Sequence, residues 1–357
     1  MLMSDYWHDL HLASSFSGHG AAPLGPEYLM NDAGNVSLVS THSGFGSGFG
    51  SYFNTSSWSP TPAPTVVGSS HGLQIDLVWD SSVSKAPSGF MQAIIDAAAY
   101  FTTIISTREV ITIHVGYGEI DGSSLSPNAL GESESYGYLT NFSTVTAALG
   151  HDNFVFSAGN EPTGSQFFLT SAEAKALGLV NPTSGLDGYV GFGSLSGTGY
   201  SWNTAATTTG SNSNTGAKQF DLQSVALHEI SEVMGRIGME GASVNGKSTD
   251  TPLDLFNYQS HGVLELSGNG GYFSTNDGST HLGTFNNASL NGGDIADWAS
   301  ATSTTQSNTV GLPSGVKVYD AFDAFGFPGY NGDISQSDVL VLTALGYKLT
   351  PAGIAAA

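Results

Sequence analysis

Residues 224–238, SVALHEISEVMGRIG, decide how this chain is to be read. The pattern predicts a helix over about 221–234. Asp221 is placed to cap its start, and Leu222, Ala226, Ile230, Val233 and Ile237 trace an apolar stripe that would bury it against a sheet. His228 and Glu232 fall on another face. Four residues apart, they stand one turn above the other, so an imidazole nitrogen and a carboxylate oxygen can reach one ion at roughly 2 Å each. Glu229, rotated by one residue, can stand beside that ion without binding it. There it could take a proton from water as the general base of metal-assisted hydrolysis. Gly235 then ends the helix and lets the chain turn. The plainer reading of the same residues is the polar face of an amphipathic helix, with Arg236 complementing its dipole.

Working outward, LQIDLVWD alternates Leu73, Ile75, Leu77 and Trp79 with more polar neighbours, as a half-buried strand does. In PSGFMQAIIDAAAYFTTII, residues Phe90, Ile94, Ala97, Phe101 and Ile104 recur at helical spacing, with Pro87 placed for the first turn. VITIHVGYG alternates again, and its distance from the first strand suits a right-handed crossover to a parallel neighbour. His114, inside this strand, reads as a structural histidine. Further strands are expected at GYLTNF, NFVFSA and GYVGFGS. A short helix is expected at SAEAKALG, opened by Thr170 or Ser171, and a packing helix at SQSDVLVLTALGYKL, capped by Ser335 or Ser337. Residues 1–72 are rich in Gly, Ser and Pro and read as a leader or an arm draped over the body.

The 357 residues suffice for one large domain or two ordinary ones. Thirty acidic residues against eight basic ones give a net charge of -22, which offers no electrostatic footprint for nucleic acid or an anionic membrane surface. The absence of cysteine excludes thiolate metal sites and a cysteine nucleophile, so any metal must sit on His, Asp or Glu. No run approaches the roughly 18 apolar residues of a membrane span. The N-terminus, MLMSDYWHDLHLASS, shows neither the basic nor the apolar region of a secretory signal.

HEISEVMGRIG resembles the metzincin zinc signature HExxHxxGxxH, with His228, Glu229 and Gly235 matching. Glu232 stands where the second histidine would be, Gly238 where the third would be, and no methionine after Met239 can form the Met-turn. The chain is also similar, over residues 73–347, to a group of bacterial secreted proteins described as metalloproteases. These carry HEISEVMGR and follow it with segments like TPLDLFNY, GYFSTNDGST, GDIADW and SDVLVLTALGY.

The resemblance implies an α+β fold: a metzincin-like twisted mixed sheet with two main helices, followed by an irregular, loop-rich C-terminal subdomain. Residues 1–72 would be the leader, 73–238 the subdomain carrying the zinc helix, and 239–357 the subdomain completing the cleft. It implies a secreted, monomeric zinc endopeptidase acting on protein or peptide substrates, exported by a route without a visible signal peptide, with neither nucleic acid nor membrane as partner. Glu229 would be the catalytic base, and His228 and Glu232 metal ligands. With Gly238 leaving the ion one ligand short, Asp254 in PLDLFNY is the first choice for the third ligand; Asp250, Glu240 and His261 are alternatives. Asp254 could equally be a turn or capping aspartate. Tyr258 could reach the ion or an oxyanion, or pack in the core. The Asn/Asp/Gly-rich loops could hold calcium through Asn276, Asp277, Asp294 or Asp297, although tight turns explain them as well and neither has EF-hand spacing. The competing function is a secreted binding or adhesion protein that keeps a metal for structure alone.

Overall fold

The computed structural model describes residues 24, 27–31, 36–38, 62–126, 128–150, 162, 164–183, 185–205, 216–300, 309–310 and 318–357. Ten strands form one mixed sheet: β1 (Glu27–Asn31), β2 (Val36–Leu38), β3 (Thr65–Gly68), β4 (Leu73–Trp79), β5 (Glu109–Tyr117), β6 (Gly131–Asn141), β7 (Gln166–Thr170), β8 (Gly188–Phe192), β9 (Ala242–Val244) and β10 (Lys247–Asp250). Along the sheet the order is β9-β10-β7-β6-β8-β5-β4-β3. β4, β5 and β8 run parallel, with Leu77 opposite Ile113 and Ile113 opposite Gly188. β6 is antiparallel to both its neighbours, pairing with β8 through 131–135 and with β7 through 137–141.

The longer helices are α1 (Phe90–Ile104), α2 (Phe142–Leu149), α3 (Ser171–Ala176), α4 (Leu222–Val233), α5 (Gln336–Ala344) and α6 (Pro351–Ala356), with one further turn of helix at Ala288–Asn291. The expected helical and alternating patterns are realised where they are strongest. In β4 every second residue from Leu73 is buried, and in α1 the stripe Phe90, Ile94, Ala97, Phe101 and Ile104 is buried. The stripe of α4, from Leu222 to Val233, is likewise buried, and α1 and α4 share one apolar core with β4, β5 and β8. Burying such aliphatic and aromatic side chains contributes on the order of 1.5–3 kcal/mol each, so this joint face is what holds α4 in place. Helix α1 starts later than Pro87, at Phe90, because Gly89 caps it in the left-handed region at φ +87°.

This mixed α/β architecture, a large mixed sheet with several helices, is compatible with the expected α+β class. It crosses the expected internal boundaries. β1 pairs with the middle of β6, β3 pairs with β4, and β9 and β10 extend the opposite end of the sheet. Within residues 1–72, then, 27–31, 36–38 and 65–68 form strands of the sheet; the rest of the expected leader falls largely outside the described residues, as does the strand expected at NFVFSA. The region after 238 contains a four-stranded antiparallel sheet, a short parallel pair (Val318–Asp320 with Asn331–Asp333), α5 and α6. Leu342, Leu345 and Tyr347 belong to the same core as α1 and α4. The Tyr347 hydroxyl donates to the Met234 carbonyl at 2.8 Å, tying the chain's end to the end of α4. Among the described residues no helix is long and apolar enough to cross a membrane.

Candidate metal centre

Helix α4 runs past the long strand β6, and its polar face opens on a cleft of about 670 Å³. His228 and Glu232 face each other across one helical turn, Nε2 to Oε1 at 3.4 Å. A third group comes from the loop near 297: Asp297 Oδ1 lies 3.2 Å from the same Nε2. One donor atom from each of these three residues lies within 4.8 Å of the other two, and among the described residues no other His, Asp or Glu group does this. Donors bound about 2.0–2.1 Å from a tetrahedral ion lie about 3.3–3.4 Å from one another. The two measured separations fit that spacing, so the three side chains can hold a metal ion.

The neighbours orient the donors. His228 Nδ1 is 3.0 Å from the Ala321 carbonyl, an acceptor only, so Nδ1 carries a proton and Nε2 is the nitrogen turned to the two carboxylates. Glu232 Oε2 accepts from the Ser133 hydroxyl at 2.7 Å, leaving Oε1 towards His228. Gly235, at φ +106°, follows α4 and turns the chain so that Arg236 comes back under the site. The Arg236 guanidinium lies 4.3 Å above the Phe322 ring centroid, and Nη1 donates to Asp297 Oδ1 at 3.2 Å. Burial works against a charged His228 imidazole, but the Asp297 and Glu232 carboxylates outweigh it and raise its pKa well above the ordinary value. The same two carboxylates that could hold an ion thus hold the Nε2 proton, and a metal must displace that proton to bind.

Glu229 lines the same cleft and stays outside the three-residue group. Its room is made by Gly131: a Cβ there would come within 2.2 Å of Glu229 Oε1. Asp294, one turn of loop before Asp297, also lines the cleft. Burial and the neighbouring Asp297 and Glu232 charges push its pKa up to about 8, against the opposing pull of His228 and Arg236.

The other sequence candidates lie elsewhere. Asp254 is not at the metal group; its Oδ2 accepts from the backbone N–H of Thr251, Glu240 and Met239 at 2.7, 3.0 and 3.1 Å, and it organises the turn into the 3-10 helix Leu253–Phe256. The turn reading of this aspartate, not the ligand reading, matches its surroundings. Asp250 ends β10 opposite Phe167, Glu240 Oε1 accepts from Asn257, and His261 is mostly exposed, 3.9 Å from Asp277. Tyr258 is buried in the small antiparallel sheet near Tyr272, away from the cleft, so it packs and does not reach the ion. Asn276 Oδ1 closes its own turn by accepting from Thr280 N–H and Ser274 Oγ, beside Asp277 at φ +55°. Of the calcium candidates, Asp277 stays in that turn, Asp294 enters the cleft and Asp297 joins the metal group. His114 stands edge-on to Tyr189 within the sheet, and burial lowers its pKa to about 4.

Ser133, Ala321 and Gly131 carried no signal in the sequence, because their roles arise only when β6 and the loop near 321 meet α4. No family model, curated protein or solved structure matches the chain.

Proposed function

We propose that the chain is a zinc-dependent hydrolase, a secreted endopeptidase of metzincin-like architecture. In this reading His228, Glu232 and Asp297 hold the ion and Glu229 is the general base. The observation that carries it is the meeting of three donors within 4.8 Å of one another, two pairs of them near zinc spacing, in a cleft that Glu229 also lines. One nitrogen and two oxygen donors suit zinc, whereas calcium takes six to eight oxygens. The strand-helix-strand unit ahead of α4, with α4 packed on the sheet, supports the metzincin-like comparison.

When bound, zinc would supply Lewis acidity to a substrate carbonyl and to water. The residues do the rest. Glu229, about a quarter turn round the helix from the ligand face and kept clear of β6 by Gly131, accepts the attacking water's proton and can return it to the leaving amine. Ser133 and the Ala321 carbonyl hold two of the ligands in register. Two carboxylates bring more negative charge to the ion than an all-histidine set, so the activity should favour higher pH.

The experiment is hydrolysis of an unfolded protein by the zinc-loaded chain, with and without chelator, alongside Glu229→Gln. The variant should keep zinc and fold and lose activity by about 10²–10⁴-fold, the usual worth of a positioned base. A chelator-resistant activity, or an unimpaired Glu229→Gln, rules the mechanism out.

A further inference from the structure

The cleft holds more negative charge than the metal centre uses. Besides Glu229, Glu232 and Asp297, it is lined by Asp221, Asp294, Asp320 and Asp323, and among the described residues by no lysine or arginine. Arg236 is buried, engaged with Asp297 and stacked on Phe322, and it does not line the cleft. These four aspartates differ in what they already hold. Asp221 Oδ2 accepts from the Ser224 hydroxyl. Asp320 accepts from Phe322 N–H and from the Thr309 hydroxyl. Asp323, only 6% exposed, has no hydrogen-bond partner on either carboxylate oxygen among the described residues.

A buried carboxylate without partners is costly, by several kcal/mol if it is ionised. Nothing in the local backbone explains Asp323 as a cap, since its side chain bonds no N–H. Its position is fixed all the same: Trp298 N–H donates to the Phe322 carbonyl and Ala324 N–H to the Trp298 carbonyl, clamping Asp323 beside the residue that follows Asp297. Beside it the cleft wall is aromatic. Tyr319 stacks on Phe327 with centroids 4.6 Å apart and meets Tyr330 edge-on at 4.7 Å, and all three line the cleft.

We propose that this acidic, aromatic end of the cleft is a subsite for a cationic side chain, a lysine or arginine of the substrate, with Asp323 as its anchor. The proposal rests on the endopeptidase reading and adds the substrate class to it. A long aliphatic stem lies well along tyrosine and phenylalanine rings, while its charged end gains cation–π attraction and a carboxylate that is otherwise unpaired. An acidic side chain would crowd onto the carboxyl groups that already line this cleft, Asp294 and Asp320 among them, whereas a cation offsets them. A neutral analogue leaves Asp323 unpaired, so discrimination against it is steep.

The test uses the zinc-loaded full chain and short labelled peptides that differ only in one lysine or its Nε-acetylated form. For wild type, kcat/KM should fall at least about 30-fold on acetylation, the lower end of what a desolvated charge pair supplies. In Asp323→Asn, checked for fold by circular dichroism and for zinc content, the ratio should collapse towards one. Should that variant misfold, Asp294→Asn, which should narrow the ratio in part, takes its place. Anisotropy binding to zinc-loaded Glu229→Gln reads the subsite without turnover. If no peptide is cleaved but the lysine form binds that protein more tightly, the subsite stands and the endopeptidase reading falls. If peptides are cleaved and both forms react and bind alike, the subsite is refuted and the endopeptidase reading stands.

Discussion

His228 Nε2 and Asp297 Oδ1 lie 3.2 Å apart, although one belongs to a helix and the other to a loop far along the chain. Arg236 Nη1 approaches the same oxygen at 3.2 Å, so Asp297 ties the imidazole to a buried cation as well as completing the donor group. Zinc content follows from this geometry. Wild type should hold about one zinc per chain, His228→Ala essentially none, and Asp297→Asn much less than wild type, read by elemental analysis after dialysis. Full zinc in Asp297→Asn would remove it from the ligand set.

Asp254 should behave in the opposite way. Its Oδ2 serves three backbone N–H groups of a buried turn, so Asp254→Ala orphans donors that water cannot reach. A loss of about 3 kcal/mol in urea unfolding is expected, since each unmet buried donor costs about 1–3 kcal/mol and the turn can relax in part. Zinc affinity of the folded fraction should stay close to wild type. Lost zinc with unchanged stability would make Asp254 the ligand after all.

These two aspartates show what the sequence could and could not tell. β4, α1 and α4 were legible because their signal is local: alternation in Leu73–Trp79 and helical spacing in Phe90–Ile104 and Leu222–Val233 record which face is buried. The pairing of His228 with Glu232 was legible for the same reason, as four residues make one helical turn. Asp297 was not, because its place beside His228 depends on how a loop after α4 packs over Trp298 and Phe322, and no spacing encodes that. Short strands such as β1, β9 and β10 escaped too. Three to five residues carry too little alternation, and their membership of the sheet is set by pairing with β6, β7 and one another.

Gly131 tests the placement of the base. An added methyl group would sit within 2.2 Å of Glu229 Oε1, and β6 cannot yield without disturbing its pairing with β8. Gly131→Ala should therefore push the Glu229 carboxylate aside. Hydrolysis should drop by at least about tenfold, the scale of a misplaced catalytic group, while zinc content holds. Unaltered kcat would mean that Glu229 does not need this position.

Stability should decline as pH rises from weakly acidic to weakly alkaline. Burial holds Glu109 and Glu173 well above the usual carboxylate range, and burial together with the Asp254 charge raises Glu240 to about 8. The folded chain keeps protons that the unfolded chain gives up near the ordinary value of 4.5. Their contribution is complete below that value and is lost as pH climbs through the folded pKa, about 8 for Glu240. The thermal midpoint of the wild type should fall across this window, and Glu240→Gln and Glu173→Gln should each flatten the slope. A midpoint that rises equally in all three proteins would contradict the assignment.

The last prediction concerns Ser133, whose hydroxyl donates to Glu232 Oε2 at 2.7 Å from the neighbouring strand β6. Glu232 has two oxygens and the metal group uses one, Oε1, so the other must be held if the carboxylate is to stay in one rotamer. Removing the hydroxyl leaves Oε2 free to compete for the ion or to swing towards the cleft. Hydrogen-bond partners of metal ligands are typically worth 10–100-fold in metal affinity or activity. Ser133→Ala should thus weaken zinc binding by about tenfold, read by competition with a chelating indicator. Because Ser133 is small and only 4% exposed, losing one oxygen opens little space and the fold should persist. Glu232→Ala removes the ligand itself and should be far weaker. Combining the two substitutions should then add almost nothing, since the hydroxyl acts only through the carboxylate. An additive loss in the double variant would show that Ser133 shapes the site by some other route, and an undiminished affinity in Ser133→Ala that Glu232 needs no such support.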